Sequence, residues 1–364
     1  MSNGILKEMQ RFLKGKTEEI NVVVMPDFFL DRLISLKCNI KRFSETLENV
    51  ARRKGGCIDG IEQTELRGGN AVNTASALAA LGAKVVPIAC TNMLGLQIIK
   101  LFLQPLGVDL SHVKTFKRLS VTTAIELESD NGKVNVMLRD IGALANFGHR
   151  HLDNDDFETI ENAHYVCVFN WAGTRRSGTE LAKTVFRHVK MKGKGKTYYD
   201  TADPTPNKEK IPKLVKNVLR GNDVDILSVN ENEAVLYASQ LSDEIEKLGK
   251  KLRFEELAKE SARILATRIS ARVDLHTTNF SATFTKKRET LVPAFRVPVL
   301  RATGAGDAWN AGNILGDAYE LSDDCRLTLA NAVAAYYISN LSGVHPTRKH
   351  LVKFCEKLKQ KSIS

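Results

Sequence analysis

Short, continuous apolar runs alternate along this chain with longer segments in which apolar residues return every three or four positions. After an amino-terminal stretch with helical spacing, Ile20–Met25 (INVVVM) has the length and composition of a buried strand. A polar helical segment follows at 41–56, and CIDGIEQTELR, residues 57–67, reads as extended. The segment GGNAVNTASALAALGA then opens a helix, with AKVVPIAC as a strand behind it. Residues 119–139 hold two strands, and Asp130-Asn131-Gly132 between them supplies the turn chemistry of a hairpin.

Downstream the rhythm becomes regular. HYVCVFN, KTYYDT, DILSVN, RVDLHT and SATFTK read as strands. TELAKTVFRHVKMK, IPKLVKNVLR, the segment opening at ENEAVLYASQ, and residues 254–269 read as helices. Strands alternating with helices of about ten to fifteen residues predict a parallel, doubly wound α/β sheet with helices on both faces. The extended pieces at 57–67 and 119–139 fall outside that rhythm and are expected to form a small separate sheet.

Composition narrows the class. With 364 residues, 43% of them hydrophobic, the chain can bury a substantial core, as one large or two ordinary domains. No run is long and apolar enough to cross a bilayer. The charged amino terminus lacks the apolar core of a signal peptide, so a cytoplasmic protein is expected. Cys38, Cys57, Cys90, Cys167, Cys325 and Cys355 form no C-x-x-C pair and suit reduced thiols. The net charge of +11 could attract nucleic acid or anionic substrates. It is spread along the chain, however, and the lysine-rich stretch Arg187–Lys196 reads as a solvated face, so nucleic acid is not the expected partner.

The most informative segment is RATGAGDAWNAGNILGDAYE, residues 301–320. Thr303-Gly304-Ala305-Gly306-Asp307 is a small-residue turn, with a helix expected from Ala308. Glycines let backbone approach a ligand, and helix-start N–H groups favour an anion. Phosphoryl transfer needs such donors together with a carboxylate near the attacking hydroxyl. The plainer alternative is an aspartate complementing a helix dipole after a tight turn. At the other end of the chain, Gly68 and Gly69 precede Asn70 and Asn73, whose amides offer paired donors and acceptors suited to sugar hydroxyls. Gly195-Lys196-Thr197 ends like a phosphate-binding P-loop, but Lys190 stands where the earlier glycine is required.

TGAGDAWNAG closely resembles the second signature of the ribokinase-like (PfkB) carbohydrate kinases, and GGNAVNTASALAALGA resembles the first, in the family's order. The resemblance covers most of residues 20–350. It implies a ribokinase-like three-layer α/β/α sandwich with a central, mostly parallel sheet and a small β lid contributed by 57–67 and 119–139. Residues 1–19 would be a helical extension and 351–364 a basic tail. A homodimer formed through the lid is a further implication.

Site residues follow by the same resemblance. Asp307 would be the base, with Gly304, Ala305 and Gly306 supplying the N–H groups around the transferred charge. Asp31, Gly68, Gly69, Asn70 and Asn73 would orient the acceptor. Asp27 competes with Asp31 for that role, and Pro26 stands where the family usually has glycine. Arg139, in RDIGALANFG, would lie near the acceptor, where it suits a phosphorylated or acidic substrate or plays a plain surface role. Asn230 and Glu233 match the N-x-x-E motif that orders Mg2+ through water; for an isolated motif an N-cap with an acidic first turn is the plainer reading, and the family order favours the metal role. Thr278, Thr303, Asn331 and Gly343 would contact the nucleotide.

The implied reaction moves the γ-phosphoryl group of ATP to a hydroxyl of a sugar or sugar derivative. A nucleoside acceptor is the alternative, and a non-catalytic binding homologue the alternative of another class. Two departures stand out. The family's T-x-G-x-x-G segment appears here as His276-Thr277-Thr278-Asn279-Phe280-Ser281, without either glycine. Arg301 also stands where many relatives carry an aspartate that helps hold potassium.

Overall fold

In the strand Asn21–Met25 (β1), Val22 and Val24 pack into one apolar core while Val23 and Met25 pack into another. That period-two split is what a strand covered on both faces requires, and Tyr165–Phe169 repeats it, with Val166 and Val168 on one side and Tyr165, Cys167 and Phe169 on the other. The computed structural model describes residues 3–15, 18–129, 132–301, 303–340 and 342–361. Asp130 and Asn131 of the expected hairpin turn, and 362–364 of the expected tail, lie outside the described residues.

The strands after β1 are β2 (Phe29–Asn39), β3 (Glu62–Gly68), β4 (Lys84–Pro87), β5 (Cys90–Thr91), β6 (Lys114–Thr115), β7 (Val121–Ser129) and β8 (Gly132–Asp140). Then come β9 (Tyr165–Phe169), β10 (Lys196–Asp200), β11 (Ile226–Val229), β12 (Arg272–His276), β13 (Phe280–Phe284) and β14 (Glu289–Pro293). The central sheet runs β14-β13-β12-β11-β10-β9-β1-β4. Its strands from β4 to β12 are parallel, and β13 and β14 close the edge antiparallel. Helices Gly178–Lys192, Glu231–Ala238 and Phe254–Arg268 cover one face through residues such as Phe186, Tyr237 and Leu265. Helices Asn70–Ala80, Ala305–Ala318 and Asp323–Ile338 cover the other through Leu78, Ile314 and Val333. The expected three-layer sandwich is therefore present.

A second sheet has the order β3-β2-β7-β8. It joins both segments expected to stand apart, with two differences. Residues 57–61 carry no strand, and the sheet's long inner strand is β2, which the sequence pattern leaves unassigned. The segment expected as a basic tail is mostly the helix Arg348–Lys361, whose Leu351 and Cys355 are buried in the same core as Met9 and Phe12 of the amino-terminal helix Asn3–Lys14. Among the described residues, no helix is long and apolar enough to cross a membrane.

Candidate active site

The helix Ala305–Ala318 starts three residues earlier than expected, because Gly304 supplies a left-handed cap with φ +87°. A side chain there would meet the Tyr337 hydroxyl, 2.8 Å from the position of its Cβ. The early start puts Asp307 in the first turn, beside N–H groups that have no acceptor within the helix. Asp307 is buried, and Asn70 Nδ2 and Asn73 Nδ2 donate to its two oxygens at 2.8 and 3.0 Å. Burial pushes the Asp307 carboxyl well above the usual range, against the pull of those two amides. Asn73 Oδ1 is also buried and has no protein partner.

Asp27 and Asp31 separate cleanly. Asp27 is fully buried and accepts from the N–H groups of Asn70 and Ala71 at 2.8 and 2.9 Å, and from Asn170 Nδ2 at 2.7 Å. It caps the helix Asn70–Ala80 and holds the turn at Gly69, where φ is +91° and any Cβ would strike the Asp27 carbonyl. Asp31 lies two residues into β2, and a side chain on Gly68 would strike its carboxylate.

The register of the second sheet places Asp31, Thr122 and Arg139 side by side across β2, β7 and β8. With period two, Phe29 and Leu33 on β2, Ala124 on β7 and Met137 on β8 share that face. These residues roof a cavity of about 190 Å³ whose floor is Gly69, Asn70, Asn73, Thr303, Gly304 and Asp307. Burial raises the Asp31 carboxyl to about 6, opposed by the Thr122 hydroxyl and the Arg139 charge. The Arg139 guanidinium also lies over the Phe29 ring, 5.1 Å from its centroid.

Asn70, Gly304 and Asp307 line a second cavity as well, of about 210 Å³, whose other wall is Asp200, Asp203, Asn230 and Glu233. Asn230 and Glu233 form a reciprocal cap: Asn230 N and Nδ2 donate to Glu233 at 3.0 and 2.9 Å, and Glu233 N donates to Asn230 Oδ1 at 3.0 Å. The capping role read from sequence is thus realised, and both residues face the cavity. Burial, with the Asp200 charge next, raises the Glu233 carboxyl strongly. Sequence reasoning missed Asp200. Its oxygens accept from Asn310 Nδ2 at 2.7 Å and Ala202 N at 3.0 Å.

Beyond Ala305, Gly306 and His276, which line both spaces, opens a third cavity of about 740 Å³. Thr278 and Asn331 are on its wall, as the resemblance implies, among Phe295, Trp309, Ala334 and Ile338. Thr303 faces the 190 Å³ cavity instead. Gly343 lies against the Arg301 guanidinium, and its carbonyl accepts from Arg67 Nη2 at 3.1 Å. Asp27, Asp200, Asn230 and His276 all stand at or just beyond the carboxyl ends of parallel strands, where open α/β sheets bind ligands.

Three cavities in a row, with a buried aspartate and a glycine turn at their junction, agree with the sequence match: residues 46–349 match the pfkB family carbohydrate kinase. The chain belongs to this family. It is an enzyme of the carbohydrate or nucleoside kinase class. A ribokinase of Haemophilus influenzae is 23% identical over 309 residues, covering 84% of this chain and 92% of that protein. Among solved structures, Arabidopsis thaliana ribokinase complexed with ribose and ATP superposes with a TM-score of 0.67 at 18% identity, over 93% of this chain and 99% of its own. Adenosine kinase from Sinorhizobium meliloti gives 0.67 at 17% identity, over 94% and 99%. The PfkB membership and sandwich fold expected from the two signatures are borne out.

Proposed function

We propose that this PfkB enzyme transfers the γ-phosphoryl group of ATP to a hydroxyl of a sugar or sugar derivative, with Asp307 as general base. The observation that carries the reading is the position of Asp307 on the shared wall of the 190 and 210 Å³ cavities, with both oxygens oriented by Asn70 and Asn73. A carboxyl whose proton affinity is raised by burial is a better base than a solvated one. Asn73 Oδ1, without a protein partner, is an acceptor for a substrate hydroxyl. Asp31 and the row beside it hold the acceptor from above, so that the second sheet serves as a lid. The N–H groups of Gly304, Ala305 and Gly306 take the charge on the transferred group.

ATP as donor agrees with the size of the 740 Å³ cavity and with the ATP bound by the plant ribokinase. Among the described residues no cluster of three or more His, Cys, Asp or Glu has metal-site geometry. The carboxylates of Asp200, Asp203 and Glu233 nevertheless line one polar cavity, which fits an ion that keeps its waters. Asn230 and Glu233 would hold Mg2+ through those waters, and bound Mg2+ supplies charge neutralisation to the donor phosphates. The chain's own residues do the rest: they orient the hydroxyl, accept its proton at Asp307 and exclude water beneath the lid.

The nucleoside reading draws on one observation. Phe29, Leu33, Ala124 and Met137 make much of the lid wall apolar, which suits the face of a base. Nucleotide consumption measured over sugars, sugar phosphates and nucleosides separates the readings. Consumption that depends on a sugar supports the proposal, consumption that depends on a nucleoside supports the second reading, and none with any acceptor overturns both.

A further inference from the structure

His276 ends β12 on the wall between the 740 Å³ cavity and the carboxylate-lined cavity, with only 16% of its side chain exposed. Its Nε2 is buried and has no hydrogen-bond partner. The Asp200 carboxylate, 4.0 Å away, is beyond hydrogen-bonding reach, and its oxygens are already engaged by Asn310 and Ala202. Burial holds the imidazole pKa low, with Asp200, Glu231 and Asp274 pulling the other way. A buried, unpaired ring nitrogen is costly unless a ligand completes it.

The ring is also held in place. It packs on Trp309 with centroids 4.9 Å apart, and Trp309 Nε1 donates to Ser281 Oγ and Asn331 Oδ1 at 2.8 and 3.0 Å. On the other side, Cε1 lies 3.3 Å from where a Cβ on Gly306 would stand. The imidazole therefore covers the helix-start glycine at the point where one cavity passes into the other. Any donor that lies in the large cavity and reaches Asp307 must run its terminal phosphates past this ring.

We infer that His276 is a donor-side phosphate-contacting residue, its Nε2 N–H hydrogen-bonding the β- or γ-phosphate of the nucleotide. The inference rests on the proposed kinase reading. It assigns Ser281, Trp309 and Asn331 the task of bracing the histidine. Side chains thus do on this wall what backbone N–H groups do in a glycine-lined phosphate loop.

Equilibrium binding of ATP and of AMP, without acceptor and with magnesium present, tests it on the unaltered enzyme, His276→Ala and His276→Gln. Loss of one hydrogen bond to a charged group predicts ATP binding weakened about tenfold to a hundredfold in the alanine variant. AMP binding should stay within about twofold, and glutamine, which keeps an N–H donor, should recover part of the loss. Equal losses for ATP and AMP would mean that His276 only packs against Trp309, and unchanged ATP affinity would remove it from the phosphate path. Either result overturns the inference and leaves the kinase reading standing. Failure of the unaltered enzyme to bind either nucleotide overturns both.

Discussion

Asn70 Nδ2 lies 2.8 Å from Asp307 Oδ1 although 237 residues separate them in the chain. The first signature therefore holds the aspartate supplied by the second, the proposed base, and the two turns form one site. Replacing Asp307 with Asn removes the base and leaves the shape. Turnover should fall at least ~10²-fold, with acceptor affinity little changed. The new amide would face two amide donors, but Asn73 can turn its unpartnered Oδ1 toward it, and because burial raises the Asp307 carboxyl in the fold, the melting temperature at neutral pH should rise rather than fall. Steady-state kinetics with a thermal melt checks both; near-native turnover rules out the base.

A second expectation concerns pH. The Asp31 carboxyl is raised to about 6, so its charge is lost as pH falls through that value. Acceptor KM should therefore rise below about pH 6, and Asp31→Asn should raise KM throughout and flatten this limb. Stability runs in the opposite direction. A folded-state pKa above the unfolded value favours the fold at low pH, and that advantage is lost as pH rises through 6. Asp31→Asn should thus gain stability at pH 8, up to about 3 kcal/mol, and gain none at pH 4. A variant that is no more stable at pH 8 than the parent would show that Asp31 is not strained in the fold.

Which parts of this site were legible in sequence follows from how local each signal is. The glycine turns are local: Gly69 and Gly304 need positive φ, and their small neighbours mark the place. The helix start was misplaced because Ala305 and Gly306 look like more turn, since glycine is a poor helix residue. β2 was overlooked because FLDRLISLKCN has no clean period, one of its faces lining a cavity that needs both Phe29 and Asp31. The helix Arg348–Lys361 carries Leu351, Phe354 and Cys355 at helical spacing, but six lysines and arginines among its fourteen residues read as a tail. Asp200 and His276 are ordinary strand-end residues in sequence, and only the parallel sheet brings them together.

Glu233 separates a structural from an ionic role. Glu233→Gln keeps one oxygen for the cap with Asn230 but removes the negative charge from the cavity. The magnesium concentration for half-maximal turnover should rise about tenfold or more, a usual cost of altering an outer-shell carboxylate. Acceptor KM should stay nearly constant. A magnesium titration at saturating acceptor checks this, and an unchanged curve would leave Glu233 with the cap alone.

The last expectation comes from Arg301, which stands where many relatives carry a potassium-holding aspartate. Its guanidinium does not point freely to solvent. It lies over the Tyr337 ring, 4.6 Å from the centroid, and one of its nitrogens packs against Gly343. The backbone of Leu300 and Arg301 bonds to the Ile338 carbonyl, so the charge sits between the loop after the helix Asp323–Ile338 and the turn at Gly304. The Tyr337 hydroxyl in turn supports Gly304. A fixed guanidinium would repel a second cation at this point. Turnover should therefore be the same in potassium and in a bulky organic cation at equal ionic strength, which cancels general screening. Arg301→Ala should lower turnover, and potassium should not restore it, because no carboxylate is created to hold the ion. A large, saturable stimulation of the unaltered enzyme specific to potassium would show that a free cation still binds through backbone carbonyls and that Arg301 does not take its place.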